Sequence, residues 1–133
     1  METPALIGAA EVAPDTTAIT SYDGLPGLGI LAVNAFVIKA AEPVLVDTGL
    51  SSLRDKFLDS LQRTIDPTAI RWIWLSHTDP DHTGSLQALL DLNPRLKVIT
   101  TFLGVGIMSL TGQPPMDRLY LLNPGERLRV GQR

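Results

Sequence analysis

The stretch Ile70 to Leu75 constrains the fold more than any other in this chain. Apart from Arg71 it is continuously apolar. In extended backbone Trp72 and Trp74 share one side, and Ile73 and Leu75 share the other. A strand that is hydrophobic on both faces is expected to be covered on both faces, as in a layered α/β fold. Both tryptophans are therefore assigned to the core. The segment that follows, Ser76-His77-Thr78-Asp79-Pro80-Asp81-His82-Thr83-Gly84-Ser85, contains both histidines of the chain and two aspartates.

The flanking sequence supports the same architecture. Residues 1–23, mixed and containing Pro and Thr, read as a short strand followed by loop. Asp23 to Gly29 reads as a turn-rich loop. Its Gly-Leu-Gly is not a dinucleotide fingerprint, because a β-like run, Ile30 to Ile38, follows where a helix is required. Pro43 to Asp47 reads as a strand paired with that run across a turn at 40–42. Leu53, Phe57, Leu58, Leu61 and Ile65 then follow helical spacing, with Ser51 or Ser52 as the expected cap. Gly84 to Leu92 reads as a helix stopped by Asn93-Pro94. Lys97 to Thr101 reads as a strand, Phe102 to Leu110 as a helix weakened by Gly104 and Gly106, and 118–122 with 126–130 as a hairpin. With 133 residues and 44% hydrophobic content, one domain with a packed core is expected.

Composition removes several classes of function. There is no cysteine, so disulfides, thiolate metal sites and a cysteine nucleophile are excluded. The net charge of −3, with Lys and Arg scattered singly, gives no nucleic-acid footprint. No apolar run is long enough to span a bilayer, and the N-terminus lacks the basic segment of a signal peptide. A cytoplasmic protein acting on a small molecule, with neither nucleic acid nor membrane as partner, is the expectation.

The chemistry sits at 77–82. Extended backbone from His77 places Asp79 on the same side, with alternate residues about 6.5 Å apart. His82 is expected to start the following helix. Two donor pairs result, His77 with Asp79 and Asp81 with His82, suited to two metal ions about 3.5–4 Å apart. Mixed imidazole and carboxylate ligation suits Zn, Fe or Mn better than Ca or Mg. A divalent cation also relieves the repulsion between Asp79 and Asp81. Asp81 is in addition the candidate catalytic carboxylate. Taken singly, Asp81 reads equally well as a helix cap and Asp79-Pro80 as a turn. Asp47 alone reads as a strand-end aspartate near a helix start.

Together, His77-Thr78-Asp79-Pro80-Asp81-His82 after a buried strand and Val46-Asp47-Thr48-Gly49 upstream resemble the metallo-β-lactamase superfamily. The resemblance covers roughly residues 25–105. It implies the N-terminal half of an αββα sandwich, with His77 and Asp79 serving one metal, Asp81 and His82 the other, and Asp47 orienting a ligand from behind. The acidic residue at Asp79 resembles the di-iron branch, the flavodiiron proteins. That branch usually has Glu there and binds or reduces O₂ or NO. Hydrolytic relatives use zinc on esters, amides or thioesters. Further His and Asp ligands of the family are absent from this chain. The resemblance therefore implies a partial two-metal site, completed by a missing C-terminal half or by a homo-oligomer, or else a non-catalytic remnant. Val44 to Gly49 also resembles the Asp-Thr-Gly of aspartic proteases, in which two Asp47 side chains of a homodimer would meet.

Overall fold

The computed structural model describes residues 2–112 and 114–133. Seven strands form one sheet in chain order: β1 (Ala5–Ala13), β2 (Thr16–Leu25), β3 (Gly29–Ile38), β4 (Val44–Val46), β5 (Trp72–Trp74), β6 (Lys97–Thr100) and β7 (Leu119–Leu121). The first three pairings are antiparallel, and β4 to β7 are parallel. Parallel neighbours need crossovers, and three helices supply them: α1 (Arg54–Thr64), α2 (Leu86–Leu92) and α3 (Phe102–Met108). This is a mixed α/β fold, the half-sandwich expected above.

The register explains where the core lies. Ile19 pairs with Ala35, Val37 with Leu45, Leu45 with Ile73, and Ile73 with Val98. These residues share the sheet face that meets Phe57 and Leu61 of α1, Leu86, Leu89 and Leu90 of α2, and Met108 of α3 in one buried cluster. The opposite face carries the row Phe36, Val46, Trp74, Ile99 and Tyr120. Trp74 is 45% exposed and Tyr120 39% exposed. Trp72 is half-buried, sets its ring edge-on to Tyr120 at 5.9 Å, and donates its Nε1–H to Glu42. The assignment of Trp74 to the core is therefore corrected. Its periodicity was that of a two-sided strand, but helices of this chain cover only one side.

Three further expectations are corrected. Residues 5–25 form two long strands rather than one short strand and loop. Pro14 and Asp15 make the tight reversal between them, Asp15 at φ 57°, and the Thr-rich run enters β2, where β-branched residues fit. The C-terminal hairpin does not form. Leu119–Leu121 pairs parallel with β6, and no strand follows it. Instead Gly131 donates its N–H to Glu42 at 2.6 Å, drawing the tail to the β3–β4 turn. Neither Ser51 nor Ser52 caps α1 through its side chain; a short 3₁₀ turn at Ser51–Leu53 leads into it.

Candidate metal centre

The parallel strands β4, β5 and β6 all end on one edge of the sheet, and Asp47, Ser76, His77 and Thr101 follow from them. Short strands feeding directly into loops place side chains from distant segments at a common mouth. The chain then runs extended from His77 and turns at Asp79, whose carbonyl accepts the N–H of His82 at 3.0 Å. His82 lies in this turn, four residues before α2 begins at Leu86, rather than starting the helix.

The turn gathers three donors. His77, Asp81 and His82 each offer a ligand atom, and these atoms lie within 4.8 Å of one another. The imidazole rings of His77 and His82 are 4.1 Å apart at their centroids, and His82 Nε2 is 3.5 Å from Asp81 Oδ2. Asp79 is placed differently. Its Oδ2 is 3.5 Å from His77 Nδ1, but its side chain is 64% exposed and it does not belong to the group of three. Both donor pairs read from the sequence are therefore adjacent in space, and only one aspartate joins both rings. Two imidazoles and a carboxylate around one point are a donor set that fits a divalent transition metal.

Asp47 explains how His82 is aimed. It is 3% exposed and holds a left-handed backbone, φ 63°, which is unfavourable for a residue with a Cβ. Its own N–H is fixed by the Trp74 carbonyl at 2.9 Å. Its Oδ1 accepts the Ser76 N–H at 2.8 Å and its Oδ2 accepts the Ser76 hydroxyl at 2.5 Å. The same Oδ2 stands 2.9 Å from His82 Nδ1. A carboxylate oxygen can only accept, so a neutral His82 ring donates from Nδ1 and keeps its lone pair on Nε2. These contacts, with the N–H bond to the Trp74 carbonyl, hold Asp47 in that backbone conformation.

Thr48 and Gly49 complete the dock. Thr48 is fully buried; its N–H and its hydroxyl both donate to the His82 carbonyl, at 2.8 and 2.9 Å. The Ser85 N–H donates to the Thr48 hydroxyl at 3.2 Å, and the Gly84 N–H to the Gly49 carbonyl at 2.8 Å. A Cβ at Gly84 would lie 2.2 Å from Ser51 N and 2.5 Å from Gly49 O, so only glycine permits this approach. Asp-Thr-Gly thus serves as a clamp for the histidine loop. The Asp47 carboxylate, enclosed by Ser76 and His82, is not presented for pairing with a second Asp47, which removes the aspartic-protease reading. Sequence reasoning missed Ser76 and Thr48. The available signal was their adjacency to His77 and Asp47.

Access is open beside His77. A cavity of about 210 Å³ is lined by Ser76, His77, Thr78, Thr100, Leu103 and Ile107. Leu103, which lines it, stands exposed in the first turn of α3.

Comparisons with known proteins identify the family and the fold. Residues 28–97 match the family model of the metallo-beta-lactamase superfamily. Diflavin flavoprotein A 1 of Synechocystis sp. is 36% identical over 99 residues, covering 74% of this chain and 17% of the relative. Flavo-diiron protein FprA2 of Clostridium acetobutylicum is 34% identical over 85 residues, covering 63% of this chain and 21% of the relative. Among solved structures, a flavoprotein of Thermotoga maritima superimposes with a TM-score of 0.82 at 24% identity, over 98% of this chain and 35% of that one. Rubredoxin oxygen:oxidoreductase of Desulfovibrio gigas gives 0.81 at 22% identity, over 94% and 33%. The chain thus spans about a fifth of the length of these curated relatives. Motif, clamp, sheet order and sequence similarity lead to one conclusion: the chain belongs to the metallo-beta-lactamase superfamily and is homologous to its flavodiiron branch.

Proposed function

We propose that this chain carries part of a dinuclear metal centre of the di-iron oxidoreductase type. His77 and Asp79 serve one ion and Asp81 and His82 the other, with Asp47 holding His82 in place. The observation that carries the reading is the adjacency of the two donor pairs, His77 Nδ1 3.5 Å from Asp79 Oδ2 and His82 Nε2 3.5 Å from Asp81 Oδ2, with the ring centroids 4.1 Å apart and His82 fixed from behind by a buried carboxylate. Bound iron would supply Lewis acidity and one-electron redox chemistry. The protein's own contribution is to orient the imidazole lone pairs, to balance the cations with the Asp79 and Asp81 charges, and to leave a small cavity beside His77.

A metal that is to react usually has three protein ligands and an open position. The chain contains only the two histidines. In this proposal further ligands come from another segment or partner that completes the second layer over Trp74 and Tyr120. The substrate class is a small diatomic oxidant. Support comes from relatives named as a rubredoxin oxygen:oxidoreductase and as an anaerobic nitric oxide reductase flavorubredoxin.

Metal analysis of the purified chain after iron or zinc loading tests this. The double variant His77→Ala/His82→Ala is expected to lose divalent metal uptake altogether. Uptake equal to that of the unsubstituted chain would remove the site from 77–82. Zinc retention accompanied by ester or thioester turnover would replace the redox reading by a hydrolytic one.

A further inference from the structure

We propose that Ser76 is a positioning residue of the metal centre: its hydroxyl holds the Asp47 carboxylate in the rotamer that locks His82 into the Nδ1–H tautomer. This rests on the metal-site reading for its purpose, but not for its structural content. Ser76 is exposed, and a solvent-facing serine ordinarily hydrogen-bonds water. Here both of its donors turn to one buried side chain, the N–H to Oδ1 and the hydroxyl to Oδ2. The hydroxyl meets the same oxygen that faces His82 Nδ1.

The two Ser76 contacts do different work. The backbone contact fixes one carboxylate oxygen and leaves rotation about it open. The hydroxyl fixes the second oxygen and with it the plane of the carboxylate. Only then does Oδ2 stay 2.9 Å from the ring nitrogen. A ring held by Nδ1–H directs the Nε2 lone pair toward Asp81; a ring released from Asp47 can protonate either nitrogen and rotate. Partners behind a metal-binding histidine fix its tautomer and orientation in this way. The chain order adds economy: Ser76 immediately precedes His77, so the residue that aims one imidazole is rigidly coupled to the backbone of the other.

The test reads the tautomer directly, in metal-free protein, by nitrogen NMR of histidine-labelled chain at a pH where both rings are neutral. His77→Gln assigns the His82 signals. The unsubstituted chain is expected to show His82 in one form, with Nδ1 protonated. Ser76→Ala is expected to show a mixture of both tautomers, with cobalt affinity reduced about tenfold, the lower end for loss of such a partner, and Ser76→Thr is expected to restore the single form. Ser76→Cys, which keeps the volume and weakens the donor, serves if Ser76→Ala does not fold. An unchanged tautomer in Ser76→Ala, or in Ser76→Cys where that replaces it, overturns the proposal. If the unsubstituted chain takes up no metal while its tautomer still depends on Ser76, the metal-site reading fails and the positioning role stands.

Discussion

Asp47 and Gly84 carry the site's geometry, though neither is proposed to touch a metal. Asp47 accepts a left-handed backbone so that one carboxylate can reach both Ser76 and His82. Gly84 surrenders a side chain so that two backbones can meet. Gly84→Ala forces a Cβ against backbone atoms that cannot swing aside, unlike the end of a flexible side chain. The expected cost is at least about 1–3 kcal/mol, the range for overpacking, measured by urea denaturation. Metal affinity should fall with it, because the loop that moves contains His82. An Ala variant as stable as the parent would mean that the close approach is not maintained in solution. Legibility at this scale was uneven. His77, Asp81 and His82 could be read from spacing because six consecutive residues cannot stray far apart. The exclusion of Asp79 from their group could not, because it depends on where the turn at Asp79 sends one side chain.

Among the elements, the antiparallel strands and the crossover helices were legible where hydrophobic period and β-branched content agreed, as in β3, α1 and α2. The C-terminal segment was not. Its alternation permitted a hairpin, but the Leu119–Leu121 strand pairs with β6, and the tail is held by Glu42. The Glu42 carboxylate accepts from Gly131 N–H and Trp72 Nε1–H, and these hydrogen bonds, the Gly131 one first, lower its pKa below the ordinary value. A lowered folded-state value means that the attachment is fully present above the unfolded-state value and is lost as pH falls through the folded one. The protection factor of the Gly131 amide, taken against its intrinsic exchange rate at each pH, is expected to fall on acidification through that window. Glu42→Gln should remove the pH dependence there, since an amide retains an acceptor oxygen without a titrating charge. Protection that persists below the carboxylate range would show that other contacts hold the tail.

For the molecule as a whole, the decisive asymmetry is between the two faces of one sheet. Ile73 is fully buried against the helices, while its neighbour Trp74 is 45% exposed on the other face. Ile73→Ala should cost about 2–5 kcal/mol, the range for emptying a packed core position. Trp74→Gln should cost well under that, and should leave the isolated chain folded. If both cost the same, the second face is covered in solution, by a second copy or by rearrangement of the tail. No helix among the described residues is long and apolar enough to cross a membrane.

The sequence by itself determined the α/β class, the helices α1 and α2, and a histidine- and aspartate-bearing loop at 77–82. These follow from local period, from turn residues and from donors separated by a few bonds, none of which needs distant contacts. Only the tertiary structure decided that Asp-Thr-Gly is a clamp, that Ser76 serves Asp47, and that a tryptophan strand expected to be buried twice is buried once. Each of those depends on segments about 30 residues or more apart being brought to one sheet edge or one sheet face. Hydrophobic pattern says which side chains leave water if a neighbour exists. It does not say whether that neighbour belongs to the same layer.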